Sequence, residues 1–488
     1  MKENIEINKH SESRNELKRT LKPHMIMAVA LGSSIGWGCF VLPGDWLSQA
    51  GTLGVAVGFA IGLLLMVIIA VNYNHLIQKF PVSGGAFVYA YAGFERNHAF
   101  FCGWFLTLAY ISIVALNASA VALLVKFIFP DLIARTGLLW QIAGWDVYLG
   151  EVFIAGLSLV LFACLNIRGA DISGRMQFWM CIGFLAGAIM LAVGCILHPT
   201  TALADARPLF PPGVKPWSAV IAIVAIAPWA YLGFDNVPQA AEEFDFPLSR
   251  ALGLIVLALS LSCLMYILMV FATAISTPWE IIAAQYRSPW VTGDSITRLF
   301  GKAGLVVLAF SLLMGVSTGL NGFYVSTSRL LFAMGRARII PSIFARVHPR
   351  YGTPYAGITF TCAVCLLAPL FGRQVLSWIV DMSSFGVTFA YFYTSAVVFK
   401  YTRWAGGAGV SVNPVVKAFA LLGILASTAF LLLLVIPTLP SSLPEQCWIA
   451  LGIWIILGSS FYALRSKEFA RIPKERMDYY IFGENRRS

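Results

Sequence analysis

The chain has 488 residues, of which 59% are hydrophobic and only 12% charged, a balance that excludes an ordinary soluble domain and describes a polytopic membrane protein. A formal net charge of +11 in such a chain reports membrane topology and not nucleic-acid binding, and no nucleic-acid partner is expected. Nothing between the apolar runs is large enough to be a soluble domain.

Residues 1–23 are polar and mixed in charge, with no short apolar region and small-residue cleavage site before the first span, so they are expected to remain as a cytosolic tail. Twelve apolar runs follow, near 24–49, 53–79, 98–129, 147–167, 175–197, 216–241, 249–275, 303–332, 353–372, 375–401, 413–437 and 445–464. The expected fold is therefore an all-α polytopic membrane protein of twelve transmembrane helices. An even number of spans puts both termini on one face, and 26 of the 34 lysines and arginines fall on that face. Both termini are thus expected in the cytoplasm, with residues 465–488 a second cytosolic tail and the chain in the cytoplasmic membrane.

The first run is interrupted halfway by Gly32-Ser33-Ser34-Ile35-Gly36-Trp37-Gly38-Cys39-Phe40. Three glycines and two serines are poor helix formers, and the spacing predicts a helix that breaks at the membrane midplane. Exposed peptide groups are tolerable at that depth only where protein covers them or a wet cavity lies beside them. The sixth run repeats the pattern, with Pro228-Trp229-Ala230-Tyr231-Leu232-Gly233-Phe234-Asp235-Asn236-Val237-Pro238 in its middle. Two broken spans five helices apart predict an inverted repeat, about 24–197 against 216–401, within a ten-helix core over 24–401. Residues 413–464 then supply two additional helices.

The longest external segment, 276–302, carries Pro278 and Pro289 and predicts a short helix over 295–300. It reads as a surface linker or a partial cover for an outer vestibule. The nine cysteines lie almost wholly inside apolar runs and imply no disulfide framework. Cys362 and Cys365 form a C-x-x-C without histidine or acidic neighbours, which reads as packing. No histidine lies at midplane depth, and no nucleophile, base and metal cluster come together, so no enzyme and no cofactor are expected.

Five further stretches join these breaks to one family. They are Phe80-Pro81-Val82-Ser83-Gly84-Gly85 with Tyr89, Asn166-Ile167-Arg168-Gly169, Ala240-Ala241-Glu242-Glu243, Ser328-Arg329 to Met334, and Val347-His348-Pro349-Arg350-Tyr351-Gly352 with Pro354. Together with Ile35 to Phe40, Pro43 and Gly233-Phe234-Asp235, their order over more than 300 residues resembles the amino acid–polyamine–organocation permeases. The resemblance implies the LeuT-like fold of two inverted five-helix repeats, with substrate held between broken helices 1 and 6 and alternating access around it. It places the substrate carboxylate on the amides of Gly36, Trp37 and Gly38, and the ammonium on carbonyls of Ser34, Trp229 and Leu232. Both placements agree with the polarity of helix ends. Ile35, Tyr231 and Phe234 complete the expected substrate site, with Tyr110 or Asn117 from span 3 as further contacts.

Two departures stand out. Trp37 occupies a position where the family usually has a small residue; its indole either narrows the cavity, which suits an amine or amino alcohol, or packs against the scaffold. The lysine that many relatives carry in span 5 falls near Phe184 by spacing, and Met176 to Leu197 hold no charge, so the fixed-cation mechanism is not carried over.

Asp235 is the foremost group for proton coupling, because a midplane carboxylate is costly unless paired, hydrated or protonated; capping the second half of span 6 is the alternative, compatible reading. Ser317 and Thr318, with carbonyls of Gly32 and Ile35, form the oxygen-only set that a sodium ion would take in sodium-coupled relatives. Glu242 and Glu243 could pair with Arg250, Arg329 or Arg336 as an inner gate. The expected function is secondary active transport of an amino acid or related amine, proton-linked or by exchange. An amino alcohol or polyamine permease, a sodium symporter, and a substrate sensor on a transporter scaffold are the alternatives. The expected partners are that small solute and the lipid bilayer; the oligomeric state is not set by the sequence.

Overall fold

The computed structural model describes residues 17–142, 145–284, 290–372, 374–407, 413–439 and 442–483. The described chain is a bundle of helices. Helix α1 (Pro23–Ile35) stops at the predicted break, and a four-residue α2 (Gly38–Val41) leads into α3 (Pro43–Lys79), which kinks at Gly51. Helix α4 (Ala86–Ile128) kinks at Glu95 and is followed by a short α5 (Pro130–Ala134). Next come α6 (Leu149–Ile167) and α7 (Ala170–Leu197). The sixth run is divided into α8 (Pro216–Ala225), α9 (Ala227–Ala230) and α10 (Asn236–Gln239). Proline opens α1, α3, α5 and α8, where its missing N–H costs nothing.

The remainder comprises α11 (Ala251–Ser276), α12 (Trp279–Ala283), α13 (Val291–Arg336, kinked at Gly301), α14 (Tyr355–Cys365), α15 (Gln374–Gly407), α16 (Pro414–Val435), α17 (Glu445–Ala470) and α18 (Lys474–Phe482). Nine helices among the described residues are long and apolar enough to cross a membrane; Pro23–Ile35, Pro216–Ala225 and Tyr355–Phe371 are shorter apolar helices.

Three features depart from the sequence reading. An antiparallel pair of strands, β1 (Leu138–Ile142) and β2 (Trp145–Tyr148), interrupts the all-α expectation. The helix expected over 295–300 begins earlier, at Val291, and at Gly301, with φ 60°, it kinks into the long span that follows. Residues 17–22, part of the segment read as a cytosolic tail, lie against the end of the sixth run, a contact the sequence does not announce: the amides of Thr20 and Leu21 donate to Glu243 O at 3.0 Å, and Asp245 N donates to Leu21 O at 3.0 Å.

Burial separates a centre from a periphery. Every residue of α13 from Gly315 to Arg336 is buried, and α4 is largely enclosed. Helices α6, α7, α16 and α17 instead expose large apolar side chains such as Phe153, Leu157, Trp179, Leu425 and Ile456. An apolar outer belt around a centre rich in buried serine, threonine and asparagine is the arrangement of a polytopic membrane protein.

Candidate functional site

The two breaks meet. Gly233, with φ 137°, allows the sixth run to pass so close to the first that a Cβ there would stand 2.7 Å from Ser33 Cβ and from the Ser34 amide nitrogen. Across the same junction, a Cβ on Gly38 would stand 2.5 Å from Cη2 of Trp229. Tyr266 of α11 pins both chains: its hydroxyl lies 2.6 Å from Ser34 O and 2.7 Å from Ala230 O. Ser34 Oγ donates to Ala30 O at 2.9 Å and reaches Tyr231 O at 3.2 Å.

Peptide groups are left over at this junction. Among the described residues, neither the amides of Gly36 and Trp37 nor the Leu232 carbonyl makes a backbone hydrogen bond outside a helix. Asn117 donates to Ile113 O at 2.9 Å, while its Oδ1 is buried without a partner. These groups surround a central cavity of about 20 Å³, lined by Ser34, Ile35, Gly36, Trp37, Gly38, Trp229 and Leu232 together with Ser33, Asn117 and Tyr266. That is room for about one water. Trp37 also borders a second, apolar cavity of about 270 Å³, walled by Phe127, Trp145 and Trp290. The Trp37 indole is therefore a partition between two cavities.

On the side of the N-terminal segment the path is shut. Arg329 makes a bidentate pair with Glu243, Nε to Oε1 at 2.7 Å and Nη2 to Oε2 at 3.1 Å, with both side chains buried. Arg336 grips Glu242 the same way, both bonds at 3.0 Å. Glu242 also accepts from the amides of Leu17 and Ser83.

A sequence model of the amino acid permease family matches residues 24–461. The chain belongs to that family. It thereby falls within the amino acid–polyamine–organocation superfamily and is a permease, not an enzyme. It is 25% identical over 475 residues to the methylthioribose transporter of Bacillus subtilis (strain 168), covering 94% of this chain and 95% of that one. Cationic amino acid transporter 4 of Mus musculus is 26% identical over 80% of this chain, but the match spans 61% of that longer protein. The D-serine/D-alanine/glycine transporter of Escherichia coli (strain K12) is 26% identical, over 80% of this chain and 79% of that one.

In this permease Tyr231 and Phe234 stand away from the cavity. Tyr231 donates its hydroxyl to Phe59 O at 2.8 Å, and Phe234 packs its ring against Tyr73 and Tyr391. Asp235 is fully buried and does not line the cavity. Its Oδ2 accepts from Tyr110 at 2.6 Å, and its Oδ1 accepts from the Gly233 amide at 3.0 Å. The carboxylate thus braces the break behind it and makes no cap on α10, contrary to the capping alternative. Tyr110 serves Asp235 rather than the cavity.

Thr318 Oγ1 lies 2.9 Å from Gly32 O, as a donor to it, and 2.6 Å from Gly315 O. Ser317 is buried beside it, and Ile35 lines the central cavity. The α7 residue that reaches this place is Gln177, one and a half to two turns before Phe184. Its Nε2 donates to Ala28 O at 3.1 Å and Thr318 O at 3.0 Å, and its Oε1 accepts from Asn321 at 2.8 Å. Asn321 in turn accepts from Asn166 at 2.8 Å and Ser173 at 2.9 Å. A search of this span for charge passes over Gln177; the signal that finds it is a lone carboxamide in an apolar helix, which needs a buried partner. Ser33, Tyr266 and Phe323 were likewise missed as cavity residues, since apolar or hydroxyl side chains on a span carry no sign of the direction they face.

Proposed function

We propose that this permease is a secondary active transporter of the cytoplasmic membrane that moves an amino acid or closely related amine by alternating access, proton-linked or by exchange. The nine long helices and three shorter apolar ones suit twelve spans, ten of them in inverted repeats near 24–197 and 216–401, with both termini cytosolic. The observation that carries the reading is that the Gly36 and Trp37 backbone of the first break and Leu232 of the second meet at one small cavity, with the buried, unpartnered Oδ1 of Asn117 beside Gly36. Buried unpaired donors favour a carboxylate, and buried unpaired acceptors favour an ammonium. A zwitterion supplies both.

The conformation fits one stage of such a cycle. On the reading of both termini as cytosolic, two ion pairs close the cytosolic side, while Trp37 borders both the central cavity and the larger apolar one. Entry of a solute then requires the indole to move. The absence of any acidic residue from the lining argues against a polyamine. Gln177 and Thr318 satisfy the Gly32 and Ala28 carbonyls with neutral donors, which supports a proton or exchange over sodium. A solute without a carboxylate remains a second reading, favoured by the relative named a methylthioribose transporter along nearly its whole length.

The test is a thermal-shift panel of amino acids, amines and amino alcohols on the purified protein, followed by proteoliposome uptake of the hits with and without proton and sodium gradients. Saturable uptake with accelerated counterflow is expected. Binding without uptake would mark a sensor; strict sodium dependence would overturn the coupling assignment.

A further inference from the structure

Asp235 is joined to the closed cytosolic side by a hydrogen-bonded line that neither the cavity nor the gate explains. Tyr110 donates to Asp235 Oδ2 at 2.6 Å, and Gln239 Nε2 donates to the Tyr110 oxygen at 3.2 Å. Gln239 is fully buried, and its Oε1 has no partner. Its carboxamide lies against Gly85, where an added Cβ would stand 2.6 Å from Nε2. Gly85 belongs to the same turn as Ser83, whose amide donates to Glu242. Gln239 closes the four-residue α10 and Glu242 follows in the next 3₁₀ turn, so this part of the sixth run leads from Tyr110 past the 80–85 turn to the ion pair.

We infer that Tyr110 and Gln239 are positioning residues that transmit the protonation state of Asp235 to the 80–85 turn. With Asp235 ionised, every donor points toward the carboxylate: Gln239 to Tyr110, Tyr110 to Asp235. That is the arrangement in the structure. When Asp235 takes up a proton, one O–H bond forms at the carboxylate and nothing else changes covalently. The carboxylic acid now donates to the Tyr110 oxygen, and Tyr110 must donate elsewhere. The hydroxyl has two acceptors beside it, the Asp235 carbonyl at 3.4 Å and the unpartnered Oε1 of the Gln239 carboxamide; donation to Oε1 turns the carboxamide and withdraws its N–H from Tyr110. The turned amide presses on a glycine that has no side chain to yield, beside the Ser83 amide that holds Glu242. Protonation thereby loosens the turn that closes the cytosolic side.

The titratable groups facing Asp235 are Tyr73 from α3, Tyr110 from α4 and Tyr391 from α15; no lysine or arginine among the described residues pairs with it. Nothing nearby therefore carries a compensating positive charge, and a reversal of hydrogen-bond direction is the response available to the site.

This inference rests on the reading of Asp235 as a proton-linked group. It is tested in proteoliposomes by the rate at which Ser83→Cys is alkylated from the inner side, read by mass spectrometry between pH 5.5 and 8. Because only the thiolate is alkylated, each rate is divided by that of the same cysteine in the denatured protein at the same pH; in the otherwise unchanged protein this ratio is expected to rise as pH falls, by roughly tenfold for one pKa unit of coupling. Asp235→Asn removes the dependence if the carboxylate is the titrating group. Gln239→Met keeps the volume and the Tyr110–Asp235 bond, and is expected to flatten the pH dependence while substrate affinity and melting temperature stay close to those of the parent. Tyr110→Phe is expected to flatten it as well. A full pH step in Gln239→Met alongside a lost step in Asp235→Asn overturns the relay and leaves the proton reading standing. An unchanged step in Asp235→Asn overturns the proton reading itself.

Discussion

Gly38 of the first break and Trp229 of the second are in such close contact that a single methyl on the glycine would stand 2.5 Å from Cη2 of the indole. The ring is buried, and the space beside it is the small cavity that it lines, so displacing it fills that cavity. Gly38→Ala is therefore expected to displace Trp229 and to weaken ligand-induced thermal stabilisation by at least about tenfold in apparent affinity, the equivalent of ~1.4 kcal/mol. The check is a titration of the best thermal-shift ligand against both proteins. Equal affinities would mean that the indole relaxes without consequence.

Trp37 separates the central cavity from the larger apolar one. Replacing it with alanine joins the two spaces. Trp37→Ala is expected to admit bulkier solutes and to lose discrimination between substrates, whereas Trp37→Phe preserves the partition and the ranking. A counterflow panel of small and large amino acids measures this directly.

The Arg329–Glu243 pair is buried on both sides and bonded at two points. Removing one member leaves an uncompensated charge, at a cost of about 3–5 kcal/mol, while removing both can be close to neutral. Arg329→Met is thus expected to lower the melting temperature more than the double variant Arg329→Met with Glu243→Leu. Additive losses in the double-mutant cycle would show that the two side chains act independently.

Gln177 occupies both ends of its carboxamide, holding α1, α7 and α13 together through Ala28, Thr318 and Asn321. Gln177→Leu removes three buried hydrogen bonds, although Asn321 Nδ2 keeps its bond to Ser173 O at 3.2 Å, and is expected to destabilise the protein by about 2–4 kcal/mol at roughly 0.5–1.5 kcal/mol for each bond lost. Gln177→Glu restores only the acceptor and is expected to fall between the two. Melting curves in one detergent, with ligand absent, give the order.

Much of the path was legible before any coordinates. Gly32 to Phe40 and Pro228 to Pro238 are rich in residues that interrupt a helix, so both interruptions could be read from composition; the expectation that Gly36, Trp37, Gly38 and Leu232 lie at one site came from the family resemblance, and these four do border one cavity. Glu242 and Glu243 could be matched to arginines because charge is rare inside spans. Tyr231, Phe234 and Asp235 sit in the same interrupted stretch, yet they point to Phe59, to Tyr73 and Tyr391, and to Tyr110. Direction around an irregular segment has no period to read.

Composition and helix-breaking residues by themselves determined that this is a many-helix membrane protein with two interrupted spans, because backbone hydrogen bonding in lipid leaves few alternatives. Only the tertiary structure decided that Trp37 divides two cavities, that Gln177 clamps three helices, and that Asp235 answers to Tyr110 and Gln239. Each of these depends on contacts between residues more than a hundred positions apart, or on which way a buried side chain faces, and such pairings are set by packing rather than by local pattern.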